Sequence, residues 1–175
     1  PYEDLEAVER FARGVSVVTF EFENVPAATA EAAARHAPVR PRGELLHTTQ
    51  DRLREKRALR ELGLPVADFA AIERQQDLAA AAEAVRGAGV LKTAAWGYDG
   101  KGQRRVRAPG ELAAAWGELG SQRAVLEAWV PFEREISVVG ARALDGSVAL
   151  YEPFENAHAD HILDVTLWPA RVGER

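Results

Sequence analysis

Residues 90–103, VLKTAAWGYDGKGQ, place Lys92, Tyr98, Asp99, Lys101 and Gln103 among glycines at 97, 100 and 102. Such a stretch is poor material for a helix interior or a packed core. Glycines let successive backbone N–H groups converge on one anion, and a phosphate is the anion such a nest fits. A Walker loop would enter a helix through Gly-Lys-Ser/Thr. Here an apolar strand (GVLKTAA) precedes the loop and a second candidate strand (QRRVRA) follows it, so the expected element is a hairpin flap. A hairpin tip with no ligand would carry the same glycines. Lys92 adds weight to the phosphate reading, because a lysine inside an apolar strand is costly to bury without an anionic partner. The alternative is a lysine on the solvated face of an edge strand.

Other polar groups sit in unusual company. Glu127 ends the apolar run AVLEAWV, and Glu133 and Glu135 follow across a turn. Carboxylates so placed can accept from an adenine amine or from ribose hydroxyls; solvated strand faces would look the same. His158 and His161 lie three apart within ENAHADHIL, but no third ligand of matching spacing accompanies them, and zinc is not expected.

The elements that must position these groups read as an α/β start followed by a mixed α+β run. DLEAVERFAR (4–13) is an amphipathic helix and VSVVTFEF (15–22) a strand. AATAEAAARHA is a short helix, and PVRPRG (38–43) is a Pro/Arg/Gly connector and the best candidate for a domain boundary. TTQDRLREKRALRELGLP is expected to be one helix with Thr48 or Thr49 as N-cap and Gly63 just past its end. VADFAAI is a strand, DLAAAAEAVRGAG a helix, and PGELAAAWGELG a helix with proline at its start and glycine at its end. QRAVLEAWV, EREISVVGARAL and SVALYEPF are three strands, the last two joined through a hairpin at Asp145-Gly146.

Composition narrows the function classes. The 175 residues carry a net charge of −5, are 47% hydrophobic, and include no cysteine and no methionine. No excess of Lys and Arg is available to neutralise nucleic-acid phosphates. Without cysteine, disulfides, thiolate metal sites and a Cys nucleophile are excluded. No apolar run approaches the length of a membrane span. A chain beginning at Pro1 with no methionine is expected to be a fragment.

Several blocks taken together carry a resemblance: TFEFENVP (19–26), QDRLREKRALRELGLPVADF (50–69), LKTAAWGYDGKGQ (91–103), EAWVPFEREISVV (127–139) and ENAHADHIL (155–163). In this order they resemble the N5-carboxyaminoimidazole ribonucleotide synthetase family of ATP-grasp enzymes, and the resemblance covers essentially the whole chain. GYDGKGQ is its most specific part. It implies a partial pre-ATP-grasp α/β domain over 1–47 and an incomplete ATP-grasp domain over 48–175. It further implies a cytoplasmic, homodimeric ligase of purine biosynthesis acting with Mg²⁺. ATP would drive carboxylation of aminoimidazole ribonucleotide by bicarbonate through carboxyphosphate, with no nucleic-acid or membrane partner.

Carried over residue by residue, the resemblance assigns Arg52 and Lys92 to the ATP phosphates. The loop Gly97, Tyr98, Asp99, Gly100, Lys101, Gly102 and Gln103 would close over them. Glu127, Ala128, Trp129 and Val130 would hold adenine through their backbone, Glu135 the ribose, and His158 the nucleotide. Tyr98, Lys101 and a carboxylate from Glu21 or Glu23 would lie near the ribonucleotide. Many relatives have arginine in place of Lys101; lysine gives up the bidentate fork. The family's magnesium ligands are expected beyond Arg175, so this chain is expected not to turn over alone. Two other readings remain open: a non-catalytic nucleotide-binding module, or an ATP-grasp ligase with another acceptor. Tyr98-Asp99 argues against the second.

Overall fold

The computed structural model describes residues 1–95, 97 and 101–173. Trp96, Tyr98, Asp99 and Gly100 of the glycine-rich loop lie outside them. Two compact units form, one of Pro1–Gly97 with Gly102–Trp129 and a second from Val130 onward that also takes in Lys101.

The first unit opens with helices α1 (Leu5–Ala12) and α2 (Ala27–Ala34). They pack through Ala12, Ala33, Ala37 and Val39, with Val8, Val15, Val18 and Phe20 against them. The expected strand over 15–22 does not form. Val18 makes a single parallel bridge to Val39, its N–H donating to Pro38 O at 2.9 Å and its carbonyl accepting from Arg40 N at 2.8 Å. A ladder needs neighbours, and among the described residues this segment has one bridge only.

Helices α3 (Gly43–Thr49) and α4 (Arg52–Glu61) replace the single helix expected here. Thr48 and Thr49 end α3 and cap nothing at an N-terminus. The N-cap of α4 is Asp51, whose Oδ1 accepts from Leu53 N at 3.1 Å and Arg54 N at 3.0 Å. Asp outranks Thr as an N-cap, and an extended backbone at Asp51 separates the two helices. Gly63 does follow the C-cap in the left-handed conformation, φ +75°.

The centre of this unit is an antiparallel sheet of β1 (Phe69–Ile72), β2 (Gly89–Thr93), β3 (Gln103–Val106) and β4 (Ala124–Ala128), ordered β1-β4-β2-β3. Alternation along each strand separates two faces. One face bears Leu91, Leu126, Ile72, Ala124 and Val106 and packs against α5 (Leu78–Ala84) and α6 (Leu112–Glu118). Val125, Phe69 and Ala71 point the other way and pack with Leu53 of α4.

In the second unit, β5 (Glu135–Ser137), β8 (Phe154–Ala159) and β9 (Ile162–Leu167) form a sheet ordered β5-β8-β9, and β6 (Gly140–Arg142) pairs with β7 (Val148–Leu150). The strand expected over 133–144 is therefore two, because its halves pair with different partners. Similarly, Pro153, which cannot donate to a ladder, separates β7 from β8. The Asp145-Gly146 hairpin forms as expected, with Gly146 at φ +88°.

Candidate functional site

Lys92 lies on β2, an interior strand flanked by β4 and β3, so it is not a lysine on an edge strand. It stands opposite Val125 on one side and Gln103 on the other, which puts all three on the α4 face of the sheet. Glu127 is opposite Val90, one diagonal step from Lys92 on the same face. The Lys92 ammonium reaches Glu127 Oε2 at 3.1 Å. Lys56 of α4 reaches the same oxygen at 3.2 Å. These side chains are mostly out of water, at 27% exposure for Lys92, 16% for Lys56 and 13% for Glu127. The partner that a lysine in an apolar strand requires is thus Glu127, a pairing across 35 residues that local sequence cannot show.

Lys56 was not foreseen. The signal was available, since it follows Arg52 by four residues and so shares its helix face. Phe69 lies beneath, its ring 5.8 Å from the Lys56 nitrogen and 4.3 Å from the Arg60 guanidinium.

Arg52 begins α4 at the mouth of the glycine-rich loop. Its N–H donates to Ala94 O at 2.8 Å, and its guanidinium donates to Thr93 O at 2.9 Å and Gly97 O at 3.3 Å. Behind it, Asp51 is 2% exposed and pairs with Arg123, which enters β4. Burial pushes the Asp51 carboxyl up, but the Arg123 hydrogen bond and the α4 amide of Arg54 outweigh it, and the net shift is downward. On the next turn of α4, burial pushes Glu55 up; Lys56 opposes this and Glu23 reinforces it.

The two N-terminal candidates have different surroundings. Glu23 acts electrostatically on Glu55, and its carbonyl accepts from Gln50 Nε2 at 2.6 Å. Glu21 lines a different cavity, among Phe11, Phe20 and Phe22 beside α1.

Of the loop itself, Gly97, Lys101, Gly102 and Gln103 are described. Gly102 has φ +73°, and a Cβ there would stand 2.7 Å from Thr93 Oγ1. Its carbonyl accepts from Thr93 N at 2.8 Å, closing the hairpin end. Only glycine meets both demands. Tyr98, Asp99 and Gly100, expected to help close over the phosphates, lie outside the described residues.

At the far end of β4, the amides of Ala128 and Trp129 already donate, to Asp68 O at 2.8 Å and Ala88 O at 3.2 Å. Trp129 packs under Arg105, 4.1 Å from guanidinium to ring. Val130 begins the second unit. There Glu135 and His158, expected separately from sequence, meet at 2.8 Å between β5 and β8. On the same strand Glu155 binds Arg171, which holds its carboxyl down to about 2, with Arg134 also in range. Sequence reading missed both arginines; they come from segments 21 and 16 residues away.

The arrangement in the first unit is a cluster of cations at one end of a glycine-rich hairpin: Lys56 and Lys92 share Glu127, and Arg52 binds the carbonyls of Thr93 and Gly97. The ATP-grasp domain model matches residues 57–175, about two thirds of the chain. The chain belongs to the ATP-grasp family. A ribonucleotide synthetase preATP-grasp domain model matches residues 1–50. The ATP-grasp chain is 43% identical over 166 residues to an N5-carboxyaminoimidazole ribonucleotide synthase of Pseudomonas aeruginosa, a match covering 95% of this chain and 46% of that protein. A crystal structure of an N5-carboxyaminoimidazole ribonucleotide synthetase in complex with ADP superposes with a TM-score of 0.91 at 37% identity, over 99% of this chain and 46% of the other. The Aspergillus clavatus synthase in complex with ADP and 5-aminoimidazole ribonucleotide gives a TM-score of 0.84 at 25% identity, covering 98% and 44%. The chain spans about half the length of the curated relatives it matches. Among the described residues no helix is long and apolar enough to cross a membrane.

Proposed function

We propose that this chain is the nucleotide-phosphate half of a ligase that carboxylates aminoimidazole ribonucleotide with ATP and bicarbonate. The observation that carries it is the Lys92–Glu127–Lys56 cluster under a glycine-rich hairpin, in a chain whose relatives bear that activity in their names. In the reaction, a bicarbonate oxygen attacks the γ-phosphorus of ATP and ADP leaves, giving carboxyphosphate. The amine of the ribonucleotide then attacks the carboxyl carbon and expels phosphate, forming the carbon–nitrogen bond. Phosphoryl transfer asks a protein chiefly for positioning and charge neutralisation. Lys92 and Arg52 provide the charge, and the amides of residues 97–103 provide the cradle, with Lys101 adding a further cation. A closed loop keeps water from carboxyphosphate.

In the same reading, Glu127, Ala128, Trp129 and Val130 hold adenine. Since the Ala128 and Trp129 amides are committed within the first unit, recognition falls to carbonyls and to the Val130 amide. Glu135 takes the ribose and His158, already paired with it, orients it. Glu23 rather than Glu21 is the substrate-side carboxylate, with Tyr98 and Lys101 as its companions. Among the described residues no group of three or more His, Asp or Glu could hold a metal; Mg²⁺ would neutralise phosphate charge when bound, and its ligands are expected beyond Arg175. The reading extends to a homodimer in the cytoplasm and a domain division at 47/48.

The test is full-length protein with ATP and bicarbonate, with and without aminoimidazole ribonucleotide. ADP release that depends on the ribonucleotide is the expected result. ADP release that ignores it, or responds to a different amine acceptor, overturns the assignment. Nucleotide binding with no ADP release under any acceptor would favour a binding module.

A further inference from the structure

Two ammonium groups, Lys56 and Lys92, converge on one oxygen of Glu127. Both lysines share that one hydrogen-bonded oxygen in a partly dry setting, where an unpaired charge is expensive, and Glu55 lies within electrostatic reach of Lys56 and Glu127. An incoming anion offers one of the two ammonium groups a partner other than the oxygen they share. The two lysines are not equivalent. Lys92 is the more exposed, lies on the strand that runs into the glycine-rich loop, and packs beside Gln103. Lys56 is more buried, is fixed on a rigid helix whose first turn is capped by buried Asp51, and lies against the Phe69 ring.

We infer that Lys56 is the standing counter-ion of Glu127, and that its task is to release Lys92 to the phosphates. With Lys56 in place, Lys92 can leave Glu127 without stranding a buried carboxylate. Without Lys56, every move of Lys92 toward a phosphate exposes Glu127 to the full cost of an unpaired buried charge. Lys56 is thus a positioning residue that acts through Glu127 and touches no substrate. The inference rests on the phosphate role of Lys92 proposed above.

The experiment measures ADP affinity and steady-state kinetics on the full-length enzyme for wild type, Lys56→Gln, Lys56→Arg, Glu127→Gln, the Lys56→Gln/Glu127→Gln double variant and Lys92→Ala. Lys56→Gln should weaken ADP by about tenfold, the scale of one charge-assisted bond, and raise the ATP KM more than it lowers kcat. Lys56→Arg, which keeps the charge, should restore binding to within about twofold. In the Glu127→Gln background the Lys56→Gln change should alter ADP affinity by less than about twofold, because no carboxylate remains to be stranded. An equal loss in both backgrounds overturns the inference, since Lys56 would then act on phosphate directly or by packing. Should Lys56→Gln not fold, the double variant against Glu127→Gln and Lys56→Arg against wild type carry the same decision. If Lys92→Ala binds ADP as well as wild type does, the phosphate reading itself fails and this inference falls with it. A loss at Lys92 with none at Lys56 overturns this inference alone.

Discussion

The two faces of the β1–β4 sheet are built from the same strands and do opposite work. Toward α5 and α6, Leu91 and Leu126 are fully buried among alkyl and indole groups. One residue along each strand, Lys92 and Glu127 face α4 and meet a third charge, Lys56. A period of two places a core residue and a site residue side by side on one backbone. The apolar face holds the strands in register, so that the charged face can keep two lysines within bonding distance of a single oxygen. Rigidity for the site comes from the face that has no chemistry.

Neighbouring substitutions can break that comparison. Leu126→Ala should destabilise the full-length protein by about 2–5 kcal/mol through the cavity it leaves, read by denaturant unfolding. Lys92→Ala, one strand over on the other face, should cut kcat/KM for ATP roughly a hundredfold, about 2.7 kcal/mol of transition-state stabilisation, while the unfolding midpoint hardly moves. If Lys92→Ala unfolds as readily as Leu126→Ala, the two faces do not divide the labour as described.

The hairpin that joins them gives a smaller effect. Gly102→Ala combines a positive φ with a contact 2.7 Å from Thr93 Oγ1. It should cost about 1–3 kcal/mol and also depress turnover, because the strain falls where the loop is anchored. A variant with wild-type stability would show that Thr93 simply turns aside.

The finest probe compares two carboxylates one turn apart on α4. Asp51 is held below its ordinary 3.8 in the folded state, so its ion pair adds stability that is full above about pH 4 and is lost as pH falls through the lowered folded value. Asp51→Asn keeps the cap and loses the pair, so the gap between wild type and variant should close in acid. Glu55 is raised above 4.5 by burial, so its effect has the opposite sign. The protein is favoured below pH 4.5 and loses that advantage as pH rises through the folded value. Glu55→Gln should therefore be stabilising at pH 7 and neutral in acid. Unfolding titrations from pH 3 to 7 check both; parallel curves would mean that neither carboxyl is perturbed.

Much of the frame was legible in the chain itself. Most of the helices and strands, the hairpin at Asp145-Gly146, and a glycine-rich loop between two strands follow from apolar period and turn residues, which act over a few positions. The resemblance also named Lys92, Glu127, Glu135 and His158, which the structure brings together as two pairs. Local sequence could not say who answers Lys92, since Glu127 and Lys56 come from 35 residues ahead and 36 behind and meet only when β2 pairs with β4 beneath α4. The same reason explains the misread cap. Thr48 and Asp51 are both plausible by type, and Asp51 prevails because a folded α3 takes up the threonines while Arg123, 72 residues on, closes over its carboxylate. Segment 15–22 has a strand's composition and lacks a strand's neighbours, and hydrogen-bonded neighbours are a property of the tertiary structure. Residue type and spacing therefore set which groups could do chemistry. Strand pairing and helix docking decided which charges share a partner, because a charge is neutralised through space and not along the chain.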